Sequence, residues 1–246
     1  MQIAELIRIV DIEGRSLAAA AEEAGVDAKV PTCPGWQIRD LLRHQGAVHQ
    51  WATSYVAEQR KPHGIGHHEV GLDGAELLAW FREGHRRLVD TLTAAPADLD
   101  CWAFLPAPSP LAFWARRQAH ETTVHRVDAQ SALARTVHEE PITAEFAADG
   151  IDELLAGFHA RERSRVRSDV PRTLRVRATD AGPDAVWTVR ITQDPPATER
   201  GASGEAECEL SGPAVRLYLA LWNRLPFPDV SGDPALAAFW REHSGV

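Results

Sequence analysis

Apolar residues recur every three or four positions as far as about residue 163, and every second position from about residue 172 onward. The first period belongs to helices that bury one side and the second to strands that bury one face, so a single uniform fold cannot accommodate both. The 246 residues are ample for two cores. The expected fold class is therefore α+β: a helical bundle over residues 1–165, then a small α/β domain over residues 166–246.

Within the bundle, Ile3, Leu6, Ile7, Val10, Leu17, Ala20 and Ala21 mark a first helix. Gly25 is placed to end it, and Gly14 is a point where it could be interrupted. Pro31, Pro34 and Gly35 punctuate a turn, after which Leu41, His44, Val48, Trp51 and Tyr55 form the seam of a second helix. His49 lies five residues beyond His44 and points about 140° away from it, which assigns it to a flank. Asp73 to Leu92 reads as a third helix, in which His85 is either a partly buried surface histidine or a group approaching the core. Between these helices, His63, His67 and His68 sit among glycines with no defensible zinc spacing, and they read as solvated.

The fourth helix carries the chemistry. Ser109 followed by Pro110 is a helix start, because the serine oxygen can accept from an orphan amide and proline suits the first helical position. From there Leu111, Trp114, Gln118, Glu121, His125 and Asp128 share one side, which begins apolar and turns polar. Glu121 and His125 stand one turn apart, the spacing at which two side chains can bind one metal ion. A fifth helical pattern runs from Thr143 to about Arg163. RSRVRSDVPR then reads as a solvated linker, TLRVRATD, AVWTVRITQ and EAECEL as strands, VRLYLALWNRL as a helix, and the segment after Asp233-Pro234 as a last short one.

Composition excludes several function classes. A formal net charge of -9 and the lack of any Lys/Arg block leave no electrostatic footprint for nucleic acid. No run approaches the roughly twenty apolar residues that span a bilayer, and the N-terminus lacks the pattern of a secretory signal, so a cytoplasmic protein is expected. Three dispersed cysteines, Cys33, Cys101 and Cys208, argue against a disulfide framework or a cysteine-rich zinc site. Cys33 precedes a proline near a helix start, where either a structural role or a stabilised thiolate is open. Thiol chemistry, if present, should draw its sulfur from a small molecule.

If His44, Glu121 and His125 converge, they give three protein ligands and leave a fourth position free, the pattern of a catalytic rather than a structural zinc site. Zinc, nickel and iron all suit such donors. Asp128 could orient a ligand or could make a solvent salt bridge, and Gln118 is open in the same way.

CPGWQIRDLLRH followed by HETTVHRVDA, and then GPAVRLYLALWNR with a later GD, resembles the actinobacterial mycothiol-dependent maleylpyruvate isomerase family across nearly the whole chain. The resemblance implies a DinB-like up-down four-helix bundle followed by a small domain similar to sterol carrier protein. It implies a divalent metal, usually zinc, held by the residues matching His44, Glu121 and His125, with mycothiol as thiol cofactor. In the family's chemistry the activated thiol adds to the cis double bond of maleylpyruvate, and rotation and expulsion give fumarylpyruvate. An arginine of the second domain completes that site, and Arg224 is its candidate here; a charge at a helix C-terminus is the other reading of Arg224. Isomerisation, thiol transfer in detoxification and a non-catalytic ligand-binding module all remain open. The expected partners are a small-molecule substrate and the thiol cofactor, with the chain a monomer or homodimer.

Overall fold

The structure, a computed structural model, describes residues 1–58, 71–133 and 142–245. Contacts group the chain into two compact units, Met1–His138 and Glu139–Val246. Among the described residues no helix is long and apolar enough to cross a membrane. The loop histidines His63, His67 and His68 lie outside the described residues.

The first unit holds four long helices, α1 (Ile3–Ala24), α2 (Ile38–Glu58), α3 (Gly74–Ala94) and α4 (Pro110–Ser131). Helix α1 packs on α3 and α4, and α2 packs on the same two. The Ser109 side chain accepts from the Ala112 amide at 3.1 Å, with Pro110 at the first position, a cap contributing about 1 kcal/mol. Helix α4 is buried continuously from Thr122 to Ala129, so its polar side chains must find partners inside the protein. Arg126 does so with Glu13 of α1, at 2.5 Å, and with Gln130.

Helix α1 runs through Gly14 without interruption. A Cβ at Gly14 would lie 2.2 Å from Nε2 of His85, so the missing side chain is a space filled by the imidazole of α3. Between α1 and α2 the chain makes a tight turn, in which the Val30 amide donates to the Trp36 carbonyl at 2.9 Å and Lys29 pairs with Gln37. This turn carries Thr32 and Trp36.

In the second unit, α5 (Ala144–Asp152) is capped by Thr143 and continues as a π-helical segment, Glu153–Phe158. Its Phe146 ring meets the Tyr218 ring edge-on at 6.2 Å. The sequence reading counts this helix with the bundle, up to residue 165, whereas its contacts are with the second unit. Periodicity reveals a buried stripe and says nothing of which surface covers it.

Five strands follow: β1 (Arg172–Ala178), β2 (Val186–Ile191), β3 (Ala197–Arg200), β4 (Cys208–Gly212) and β5 (Asp229–Gly232). Their order is β3-β2-β1-β4-β5, with β1 and β4 parallel and the other pairs antiparallel. Leu174, Val176 and Ala178 are buried at the expected alternation. Helices α6 (Ala214–Leu221) and α7 (Pro234–His243) both pack on β4. The stretch RSRVRSDVPR, expected to be a solvated linker, is folded into this unit instead. Val166 is fully buried, and the Arg167 guanidinium donates to the carbonyls of Glu162 and Gln193. Its charged groups satisfy backbone oxygens, which a count of basic residues does not reveal.

Candidate metal centre

His44 of α2 and His125 of α4 approach one carboxylate oxygen. Their Nε2 atoms stand 3.5 and 3.4 Å from Oε1 of Glu121, and donor atoms of the three residues all lie within 4.8 Å of one another. Four ligands about 2.1 Å from a tetrahedral cation are about 3.4 Å apart, so both histidine-to-carboxylate distances fit a shared ion. Among the described residues no fourth His, Cys, Asp or Glu joins the group. The His44 and Glu121 side chains keep 28% and 21% of their surface accessible, so the donor set borders solvent rather than being sealed.

Two of the three candidate ligands, His125 and Glu121, are held by further side chains. Nδ1 of His125 is 2.8 Å from Oδ2 of Asp128, an acceptor, so Nδ1 carries a proton and Nε2 is the nitrogen that faces Glu121. Asp128 is fully buried, and its Oδ1 accepts from the Thr32 hydroxyl at 2.6 Å. That burial removes the solvent salt bridge as a reading of Asp128. Nη2 of Arg117, itself buried, donates to the second oxygen of Glu121 at 3.1 Å. The Trp36 ring lies 5.1 Å from the His44 ring and is stacked 6.3 Å from that of His125.

The charges of the group follow from these contacts. Burial alone would raise the Glu121 carboxyl, but His125, His44 and Arg117 hold it well below the ordinary carboxylate range. Burial would likewise lower the His125 imidazole, and its hydrogen bonds to Asp128 and Glu121 instead raise it to about 9. Without a cation the pocket therefore holds a proton between two carboxylates. A divalent ion can replace that proton with greater charge, which is the chemical test the donor set passes.

The other histidines fall elsewhere. His49, assigned to a flank, is fully buried, with Nε2 2.9 Å from the Gln45 amide nitrogen and 3.1 Å from the Thr122 hydroxyl. Helix α2 is covered by α3 as well as α4, which makes its buried face wider than one seam. Burial, followed by the charge of His85, drives the His49 pKa well down. His85 is also a core group, 3.1 Å from the Val10 carbonyl. Gln118 is fully buried, and neither its amide oxygen nor its amide nitrogen has a hydrogen-bond partner among the described residues. Burial raises the Cys101 and Cys208 thiols, the opposite of what a nucleophile needs. Sequence reasoning missed Thr32 and Arg117. Arg117 was within reach, being four residues before Glu121 on the same helix; nothing local marks Thr32, 96 residues from its partner.

Residues 7–130 match the sequence model of the mycothiol maleylpyruvate isomerase N-terminal domain, and residues 145–239 match that of the MDMPI C-terminal domain. The chain belongs to the mycothiol maleylpyruvate isomerase family. The crystal structure of the mycothiol-dependent maleylpyruvate isomerase is similar to it over 94% of this chain and 93% of that one, with a TM-score of 0.65 at 12% identity. A crystal structure of a histidine-to-alanine mutant of that isomerase has the same coverage and identity and a TM-score of 0.62. At such identity the likeness shows the shared fold. No curated protein matches the chain.

In this isomerase-family chain, Arg224 follows the end of α6. Asn223 adopts a left-handed conformation, with φ of 63°, and the Arg224 amide returns to the Leu219 carbonyl at 2.8 Å, closing the helix. The Arg224 guanidinium donates to the Trp222 carbonyl at 2.7 Å, a contact that belongs to the helix-end reading.

Proposed function

We propose that this chain is a metal-dependent enzyme that uses the thiol of mycothiol to isomerise maleylpyruvate, or a related small electrophilic acid with a cis double bond, with thiol transfer as the neighbouring reaction. The observation that carries the reading is the triangle of His44, Glu121 and His125, spaced for one tetrahedral ion and open to solvent. A divalent cation bound there, zinc before nickel or iron, supplies the Lewis acidity that turns a thiol into a thiolate near neutral pH.

The chain's own residues do the rest. Asp128 keeps a proton of His125 on Nδ1, and Arg117 keeps Glu121 ionised, so both would offer lone pairs to a cation bound there. The half-buried Trp36 ring shields the two imidazoles on one side. Arg224, assigned from its motif, takes the substrate carboxylate through its guanidinium fork. None of Cys33, Cys101 and Cys208 forms a disulfide, which suits a reducing, cytoplasmic setting and leaves the reacting sulfur to the cofactor.

Zinc content and turnover with mycothiol and maleylpyruvate test this together. Wild-type chain should carry about one zinc per chain and produce the trans isomer without consuming thiol. His44→Ala should lose both zinc and turnover while keeping its helical circular dichroism. Zinc retained in His44→Ala would move the centre elsewhere, and a thiol adduct as the end product would make the reaction a transfer.

A further inference from the structure

We infer that Thr32 is a positioning residue for the metal centre, acting through Asp128 on His125. The inference rests on the reading of His44, Glu121 and His125 as metal ligands and adds to it a group that touches none of them.

The direction of each proton is fixed by the geometry. The Ser131 hydroxyl donates to the Asp128 carbonyl at 2.7 Å, which uses its only proton. The Thr32 hydroxyl, 3.1 Å from Ser131 Oγ and 2.6 Å from Asp128 Oδ1, therefore sends its own proton to the carboxylate. The other oxygen, Oδ2, is left to accept from Nδ1 of His125 at 2.8 Å. A buried carboxylate with one oxygen held in this way cannot swing about its side-chain torsions, and the imidazole that leans on it keeps both its tautomer and its ring plane. Thr32 sits in the turn that also carries Trp36 onto the two imidazoles, and that turn is closed by hydrogen bonds of 2.9 Å from Val30 to Trp36 and 3.0 Å from Trp36 to Cys33. The anchor therefore comes from a rigid element outside α4 rather than from the helix that bears the ligands.

Zinc affinity of the full chain, measured by competition with a chromophoric chelator, tests the inference without recourse to activity. Thr32→Val, which keeps the shape and removes the proton, should weaken zinc binding by about 10-fold or more. Thr32→Ser should restore it. In an Asp128→Ala background, Thr32→Val should have no further effect, because the acceptor through which it acts is gone; a residue that merely supported the fold would weaken binding equally in both backgrounds. Thr32→Val that binds zinc as wild type does, or that loses affinity undiminished in the Asp128→Ala background, overturns the inference and leaves the metal centre standing. A wild-type chain that takes up no zinc overturns the metal reading itself, and this inference with it.

Discussion

Arg117 and Glu121, one turn apart on α4, divide a single carboxylate between two tasks. Nη2 of Arg117 holds Oε2 at 3.1 Å, while Oε1 faces His44 and His125. The arginine is 3% exposed at its side chain and the glutamate 21%, so this contact is far better shielded than a surface ion pair. Arg117→Met should free the carboxylate to rotate, weakening zinc binding by about 10-fold and unfolding stability by about 1–3 kcal/mol. Chelator competition and urea titration measure the two effects. Unchanged zinc affinity would mean that His44 and His125 alone fix the carboxylate.

The contact between Gly14 and His85 makes a purely steric prediction. A methyl at Gly14 would meet the imidazole at 2.2 to 2.8 Å, and that ring is wedged against Phe81 and His49 in the core. Gly14→Ala should therefore cost about 1–3 kcal/mol despite the better helix propensity of alanine. Thermal denaturation of Gly14→Ala in a His85→Ala background should recover much of that loss. If the two substitutions are simply additive, the imidazole is not what Gly14 accommodates.

These two cases show where the sequence was legible and where it was not. The Ser109 cap and the stripe of Glu121, His125 and Asp128 follow from local spacing, because a helix turns three-residue and four-residue steps into neighbours. Alternation likewise marked β1, β2 and β4. Strand β3 is four residues with an exposed, polar pattern and β5 is wholly exposed, so neither has a core face to leave a signature. The burial of His49 and the reach of Thr32 depend on which elements cover α2 and α4, and tertiary packing of that kind leaves no periodic trace.

Stability should fall on mild acidification for a reason seated in the second unit. His159 is 1% exposed, with its ring edge-on to Trp240 at 4.9 Å, and burial lowers its pKa from 6.5 to about 4. Between those values the unfolded chain takes up a proton that the folded chain refuses. The stabilisation is complete above pH 6.5 and is lost as the pH falls toward 4, by up to about 3 kcal/mol from this residue. His49 and His85, both lowered by burial, add in the same direction. Urea unfolding across that range should give a flatter profile for His159→Gln than for wild type. Parallel profiles would show that His159 does not control the slope.

Arg224 offers two readings that kinetics can separate. As the group that takes a substrate carboxylate, it supplies a charge-assisted contact worth up to about 3 kcal/mol, so Arg224→Gln should lower kcat/KM by roughly 10²-fold with zinc content unchanged. As a helix-end residue it acts through the Trp222 carbonyl, 2.7 Å from its guanidinium. In that case Arg224→Gln should cost about 0.3–1 kcal/mol of stability and leave kcat/KM alone. Arg224→Lys sharpens the choice, since lysine keeps the positive charge near the helix end and loses the planar fork that grips a carboxylate. A lysine variant with wild-type stability and reduced kcat/KM would assign Arg224 to the substrate, whereas wild-type kinetics in both variants would return it to the helix.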